Sequence, residues 1–166
     1  AQPYKEQFLK AMKKELNDHI SRGHWKVIPI KHVPSHKQCL PMVWAMKRKR
    51  NPVGEIVKWK ARLCAGGHRS KEFVDYWDTY SPVVSWMAVR SLLVLSKLHN
   101  MHTQSIDFTL DFPQADIKVP IYLHTTQGIV FGNDGHNTVL MLKKNLYGLR
   151  DAGRTCRGHH SEGLIE

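Results

Sequence analysis

Apolar residues recur at every fourth position near the start of the chain: Phe8, Met12, Leu16 and Ile20, with Leu9 alongside. That period predicts an amphipathic helix over residues 4–22. Pro3 stands where a helix can begin and Gly23 where one can end. Lys5, Lys10, Lys13 and Lys14 fall off the apolar stripe, so this helix reads as scaffold. From His24 the period shortens. Residues 24–30 make a short strand candidate, and Pro29, Pro34 and Pro41 mark a loop behind it. Residues 42–50 and 56–65 read as a β-hairpin around Asn51, Pro52, Val53 and Gly54. In its second strand Val57, Trp59, Ala61 and Leu63 point one way, and Lys58, Lys60 and Arg62 the other.

Gly66 and Gly67 end that strand, and residues 74–82 form a loop rich in aromatics. Trp77 is expected to pack in the core rather than stack on a base. Pro82 opens a second predicted helix, 83–99, with Asn100 as its stop. Val83, Met87, Leu93, Leu95 and Leu98 make it apolar around much of its circumference, so it should be well buried. Residues 102–108 read as a strand ending at an acidic residue, and 109–116 as a turn or short helix. Residues 121–125 and 138–142 read as strands flanking a Gly-Asn-Asp-Gly turn. The tail from Asn145 ends in a helix. This order predicts an α+β domain built on an antiparallel sheet.

Length and composition add bounds. A chain of 166 residues with 42% apolar and 23% charged residues is expected to fold as about one domain. No apolar run reaches the ~18 residues of a membrane span. The first residues lack a signal-peptide core, and Cys39, Cys64 and Cys156 are too few for a disulfide framework. A cytoplasmic or nuclear protein with reduced thiols, and no membrane partner, is the expectation.

Charge changes the picture more. Residues 1–72 hold 17 basic and 5 acidic side chains, whereas residues 73–166 hold 8 and 9. A cationic half beside a nearly neutral one fits a polyanionic partner, most simply nucleic acid. The cations concentrate on the hairpin, where Lys47, Arg48, Lys49 and Arg50 on one strand face Lys58, Lys60 and Arg62 on the other. Like charges stacked across a hairpin lower its stability, and a bound anion would relieve that.

Asp107 is the first candidate for chemistry. A carboxylate at the end of an uncharged strand is a position from which Mg²⁺ can be held together with substrate phosphates. The competing reading is a cap on the following turn. Asp111 and Asp116 lie close by in sequence. The 11 histidines show no metal-ligand spacing, and no Cys-x-x-Cys occurs. Residues 66–71 only loosely resemble a phosphate loop, because the Gly-Lys-Ser/Thr order is missing.

Several segments taken together resemble one family. They are VWAMKRKRNPVGEIVKWKARL (43–63), DYWDTYSPVV (75–84), SIDF followed three residues later by FPQA (105–115), VPIYL (119–123) and LKKNLYGL (142–149). Their order and spacing resemble the reverse transcriptase domain of Ty1/copia-type LTR retrotransposons, from about Phe8 to Arg154. The resemblance implies the fingers and an incomplete palm of a right-hand polymerase. Residues 1–100 would be fingers-like and 101–166 a partial palm. It implies RNA-directed DNA polymerase activity on an RNA template and DNA primer with dNTPs, and a place in a longer polyprotein. Asp107 matches the first catalytic aspartate that holds Mg²⁺, and the backbone carbonyl of Phe108 would share the metal. Phe112 matches the aromatic residue under the nucleotide sugar that excludes a 2′-OH. Lys60 and Arg62 match the basic strand near the incoming triphosphate. Gly148 matches the close-approach glycine of the strip supporting template and nucleotide. Lys47, Arg48, Lys49, Arg50 and Lys58 would hold the nucleic-acid backbone.

The sequence also departs from that family. A Tyr-x-Asp-Asp hairpin supplies its second catalytic element, and no Asp-Asp pair exists here. A lone Asp107 could not place two metals. Asp111 stands where the family has a small alanine, Cys156 where it has tryptophan, Asp151 where it has glutamine, Gly153 where it has proline, Ser70 where it has glutamine and Phe73 where it has glycine. These departures predict a truncated, diverged copy, inactive as it stands. The alternative function is a non-catalytic, basic nucleic-acid-binding remnant.

Overall fold

Alternating apolar residues build the frame of this protein, a computed structural model in which residues 4–105, 111–125 and 137–163 are described. The expected first helix is α1, Lys5–Ser21. Strands follow at β1 (Trp25–Pro29), β2 (Cys39–Arg50), β3 (Ile56–Ala65), β4 (Tyr122–His124) and β5 (Thr138–Leu142), with α2 at Trp86–Leu98 and α3 at Ala152–Gly163. The strands form one sheet in the order β1-β5-β4-β2-β3.

The α+β class holds, but the sheet is mixed rather than antiparallel. Cys39, Leu40 and Pro41 of β2 run parallel to Tyr122, Leu123 and His124 of β4. The other three strand pairs are antiparallel. A parallel pair needs a long crossover, and here β3 and α2 lie in the connection. No local period in the sequence encodes such a pairing.

Alternation then selects the core. Leu40 and Met42 of β2, Leu63 and Ala65 of β3, Leu123 of β4 and Leu140 and Leu142 of β5 pack together with Trp25, Leu146 and Leu149. Helix α1 closes the free edge of β3. Phe8 meets Trp59 edge-on at 4.8 Å between ring centres, and the Leu63 N–H donates to Glu15 Oε1 at 3.3 Å. Leu9 and Ile20 of the predicted stripe remain half exposed.

At its far end α1 is locked by a buried histidine pair. His19 and His24 place their Nδ1 atoms 2.7 Å apart, so one must donate and the other accept. His19 also stacks on Trp25 at 5.1 Å, and its Nε2 lies 3.6 Å from Glu15 Oε1. Burial, then the neighbouring His19, Arg22 and Lys144, lowers the His24 pKa to about 4. Below the ordinary value of ~6.5 the unfolded chain takes up this proton before the folded one does. Stability is therefore expected to fall by about 3 kcal/mol as pH drops from 6.5 to 4, and to level off below that for this group. Urea midpoints measured across that range check it; His24→Gln should flatten the slope.

Three local expectations are overturned. Helix α2 is not buried: Trp86 is 73% exposed, Met87 70% and Leu98 70%. Its formation is local, with Ser85 capping the Ala88 N–H at 3.2 Å, while the core is already filled by the strands and the segment around Leu146. Trp77 is likewise 56% exposed, not core, because its loop is held by polar contacts: Arg154 to Asp78, and the Tyr80 N–H to Asp78 Oδ1 at 3.0 Å. Residues 102–105 are exposed and lie outside any strand; the rest of that predicted strand lies outside the described residues. The Gly-Asn-Asp-Gly turn lies outside them too.

Phe73, which stands where the family resemblance has glycine, adopts φ 59° and is exposed. A left-handed conformation disfavours a bulky side chain by about 1–2 kcal/mol. Phe73→Gly should therefore stabilise the fold, or at worst leave it unchanged through added unfolded-state entropy, and thermal melts read the sign.

Candidate functional site

The β2/β3 hairpin converts sequence alternation into a ladder of charge. Lys47 lies directly opposite Lys60, Lys49 opposite Lys58, and Ala45 opposite Arg62. Opposite residues share a face, so these five cations line one surface. Lys60 is partly buried; that burial, with Arg62 and Lys49 adding repulsion, holds its ammonium below the usual lysine range. Arg48 and Arg50 do not join the ladder. Arg48 lies opposite Trp59 and lines the α1 side, because successive residues of a strand face opposite ways. Arg50 follows a register shift and donates from Nη1 to the Gly54 carbonyl at 2.5 Å. Of the seven cations expected to act as one cluster, five do.

At the inner end of the ladder two glycine-dependent contacts dock a second segment. Gly148 has φ 88°, and a Cβ there would lie 2.3 Å from the Ala65 carbonyl oxygen. A Cβ on Gly67 would lie 2.0 Å from the Gly148 carbonyl. The Ala65 N–H donates to the Tyr147 carbonyl at 2.7 Å, and Arg150 Nε to the Gly67 carbonyl at 3.2 Å. Gly67 is thus a packing seat for residues 147–150, and Gly66 one for Pro41 of β2, rather than parts of a phosphate loop.

That seat brings distant residues together. The Arg62 guanidinium sits 5.0 Å from the centre of the Tyr147 ring. Tyr147 in turn packs edge-on to Phe112 at 5.1 Å. Phe112 opens a single 3-10 turn, Phe112–Gln114, which matches the predicted turn or short helix. The Asn145 N–H donates to the Ala115 carbonyl at 2.9 Å, and Lys144 Nζ lies 2.8 Å from Asp116 Oδ1. Arg62, Phe112 and Gly148 therefore converge, with Lys60 two residues along the same strand face. Burial pushes the Tyr147 hydroxyl up from its ordinary pKa. Tyr147 was missed as a single residue; its place between Leu146 and Gly148 was the available signal.

Two of the departing residues also meet. The buried Cys156 thiol hydrogen-bonds the Asp111 side chain, and burial with that bond pushes its pKa up to about 12. The carboxylate beside Phe112 is thus engaged by α3, and the thiol is a poor nucleophile at neutral pH.

Asp107 and Phe108 lie outside the described residues. Among the described residues no group of three or more His, Cys, Asp or Glu side chains is placed to hold a metal ion. No described helix is long and apolar enough to cross a membrane.

The family described as reverse transcriptase (RNA-dependent DNA polymerase) matches residues 24–165. The chain is 30% identical over 152 residues to the retrovirus-related Pol polyprotein from transposon TNT 1-94 of Nicotiana tabacum, covering 92% of this chain and 11% of that protein. It is 30% identical over 149 residues to the Pol polyprotein from transposon RE1 of Arabidopsis thaliana, covering 90% and 10%. With the Ty1-BL Gag-Pol polyprotein of Saccharomyces cerevisiae it shares 27% over 157 residues, covering 90% and 8%. The chain spans about a tenth of the length of these relatives. No solved structure matches it. With a family match over residues 24–165 and these three transposon polyproteins aligned over about nine-tenths of the sequence, the chain belongs to the reverse transcriptase (RNA-dependent DNA polymerase) family of Ty1/copia-type retrotransposons.

Proposed function

We propose that this region holds the incoming nucleotide and the primer–template of RNA-directed DNA synthesis, and that these 166 residues alone do not perform nucleotidyl transfer. The observation that carries the reading is the convergence of Arg62, Tyr147, Phe112 and Gly148 at one end of the cation ladder. Lys60 and Arg62 neutralise the triphosphate, where charge develops during transfer. Phe112 sits under the sugar and disfavours a 2′-OH by bulk. Gly148 leaves room for nucleotide and template against the backbone. Lys47, Lys49 and Lys58 track the phosphates of the template–primer duplex. Residues 1–100 act as fingers and 101–166 as part of a palm. The three free thiols suit a reducing compartment, cytosol or nucleus.

In this reading Mg²⁺ is held by the Asp107 carboxylate and the Phe108 carbonyl, and it supplies charge neutralisation at the reacting phosphate. One such carboxylate is too few for a two-metal site, and the sequence has no Asp-Asp pair. That absence favours a second outcome, binding without catalysis.

Fluorescence anisotropy with a DNA-primed RNA template separates the two parts of the proposal. Affinity should fall steeply with salt, with a log–log slope of about −3 to −5 for roughly five phosphate contacts. Asp107→Asn should change it little. Primer extension with Mg²⁺ and dNTPs should give no product; robust synthesis that disappears in Asp107→Asn would overturn the claim of inactivity. A flat salt dependence would remove the interface itself.

A further inference from the structure

The face of the hairpin turned away from the ladder carries its own feature. A groove of about 510 Å³ runs between α1 and β2, lined by Tyr4, Lys5, Phe8, Leu9, Met12, Met46 and Arg48. Its volume lies in the range of ordinary ligand sites. Leu9 is 50% exposed, Met46 48% and Tyr4 46%. The Tyr4 and Phe8 rings already pack on Trp59, so the remaining uncharged lining is aliphatic: Leu9, Met12 and Met46. Tyr4 holds φ 77°, a conformation that bulky residues rarely adopt. That backbone places its ring 5.0 Å from the Trp59 ring, at the groove's end. Lys5 and Arg48 are exposed cations on the same groove, and neither has an ion-pair partner among the described residues.

We propose that this groove docks an acidic peptide segment that inserts apolar side chains between Leu9, Met12 and Met46 while its carboxylates pair with Lys5 and Arg48. Charge complementarity excludes a second cationic copy of this chain as the natural occupant. The aliphatic lining favours a polypeptide over a single-stranded nucleic acid, whose bases gain most from open aromatic faces. Flexible methionine side chains suit a surface that receives peptide side chains. The site is distinct from the ladder: Arg48 and Lys47 are neighbours in sequence, yet the pleat sends them to opposite sides. The inference therefore stands or falls apart from the nucleotide reading.

The test uses the full 166-residue chain and three fluorescein-labelled probes at about 0.3 M salt, where exposed charges are largely screened. The first is an amphipathic peptide of Leu and Glu with Leu at helical spacing. The second replaces every Leu by Ser at the same charge, and the third is an oligouridylate. The first probe should bind at least about tenfold more tightly than the second. Met46→Ser should weaken it by about tenfold at this salt, and Arg48→Ala by about three- to fivefold at about 0.05 M salt, where its charge is less screened, while Lys49→Ala, the same loss of charge on the ladder face, should leave it within about twofold at either salt. Leu9→Ser provides a second apolar variant should Met46→Ser lower the melting temperature. Equal binding of the two peptides would overturn the proposal. So would unchanged affinity in both apolar variants. If the oligouridylate is the probe whose affinity falls in Met46→Ser, the groove is a nucleic-acid site and the peptide assignment is wrong.

Discussion

Gly148→Ala is expected to lower stability by about 4 kcal/mol, a large part of the roughly 5–15 kcal/mol available to a domain. Two effects add. An alanine at φ 88° is disfavoured by about 1–2 kcal/mol. Its Cβ would also lie 2.3 Å from the Ala65 carbonyl oxygen, so the backbone must shift and the Ala65–Tyr147 hydrogen bond must stretch or break. That shift would pull Tyr147 away from Arg62 and Phe112 together. Gly54→Ala is the control. It has φ 93°, but no atom lies within 4 Å of the added Cβ, so only the conformational part applies, about 1 kcal/mol. Urea denaturation of both variants measures the difference. Near-equal losses would mean that residues 147–150 do not dock on Ala65 and Gly67. Gly67→Ala should behave like Gly148→Ala, since its Cβ meets a backbone oxygen at 2.0 Å.

Reversing the charge of Lys58, Lys60 and Arg62 together should weaken primer–template binding by at least about 100-fold. The sign of the stability change makes this informative. The Lys47–Lys60 and Lys49–Lys58 positions lie directly opposite each other. Opposite charges at such positions are worth about 0.2–1 kcal/mol each, where like charges lose a similar amount. Arg62 gives up its contact with the Tyr147 ring, worth roughly 0.5–1 kcal/mol. The net effect on folding should thus be close to zero or favourable. Lost binding in a fully folded triple variant separates function from damage. Affinity within threefold of the parent would mean that this face does not meet the nucleic acid.

How much of this was legible follows from which distances the features span. Helix α1 and the hairpin were readable because their periods, four and two, are local properties of the chain. The ladder was readable in β3, but in β2 the four consecutive cations concealed alternation: Lys47 and Lys49 go to one side and Arg48 to the other. The parallel pairing of residues 39–41 with 122–124 was not readable, because it joins segments some 80 positions apart with no turn between them. Helix α2 misled for a different reason. All-round apolarity is evidence that something covers a helix, not that the described residues of the same chain do. At the site, Arg62, Phe112 and Gly148 came from family resemblance, and their convergence depends on Tyr147 and on the seat at Gly67, which no spacing rule announces. His19 and His24 could not be singled out among 11 histidines, since only burial distinguishes them.

Strand β2 has a mechanical consequence. Its first residues lie in the middle of the sheet beside β4, and its last carry the outermost cations. Twelve extended residues reach about 40 Å, so one unbroken rod serves as both root and tip. A hairpin mounted this way has no linker to swing on. Displacement of its tip requires bending the rod itself, either where β4 stops accompanying it at Pro41 or at the register shift between Lys49 and Arg50. Pressure from a phosphate chain at the far end would therefore be felt at the root, beside the glycine seat.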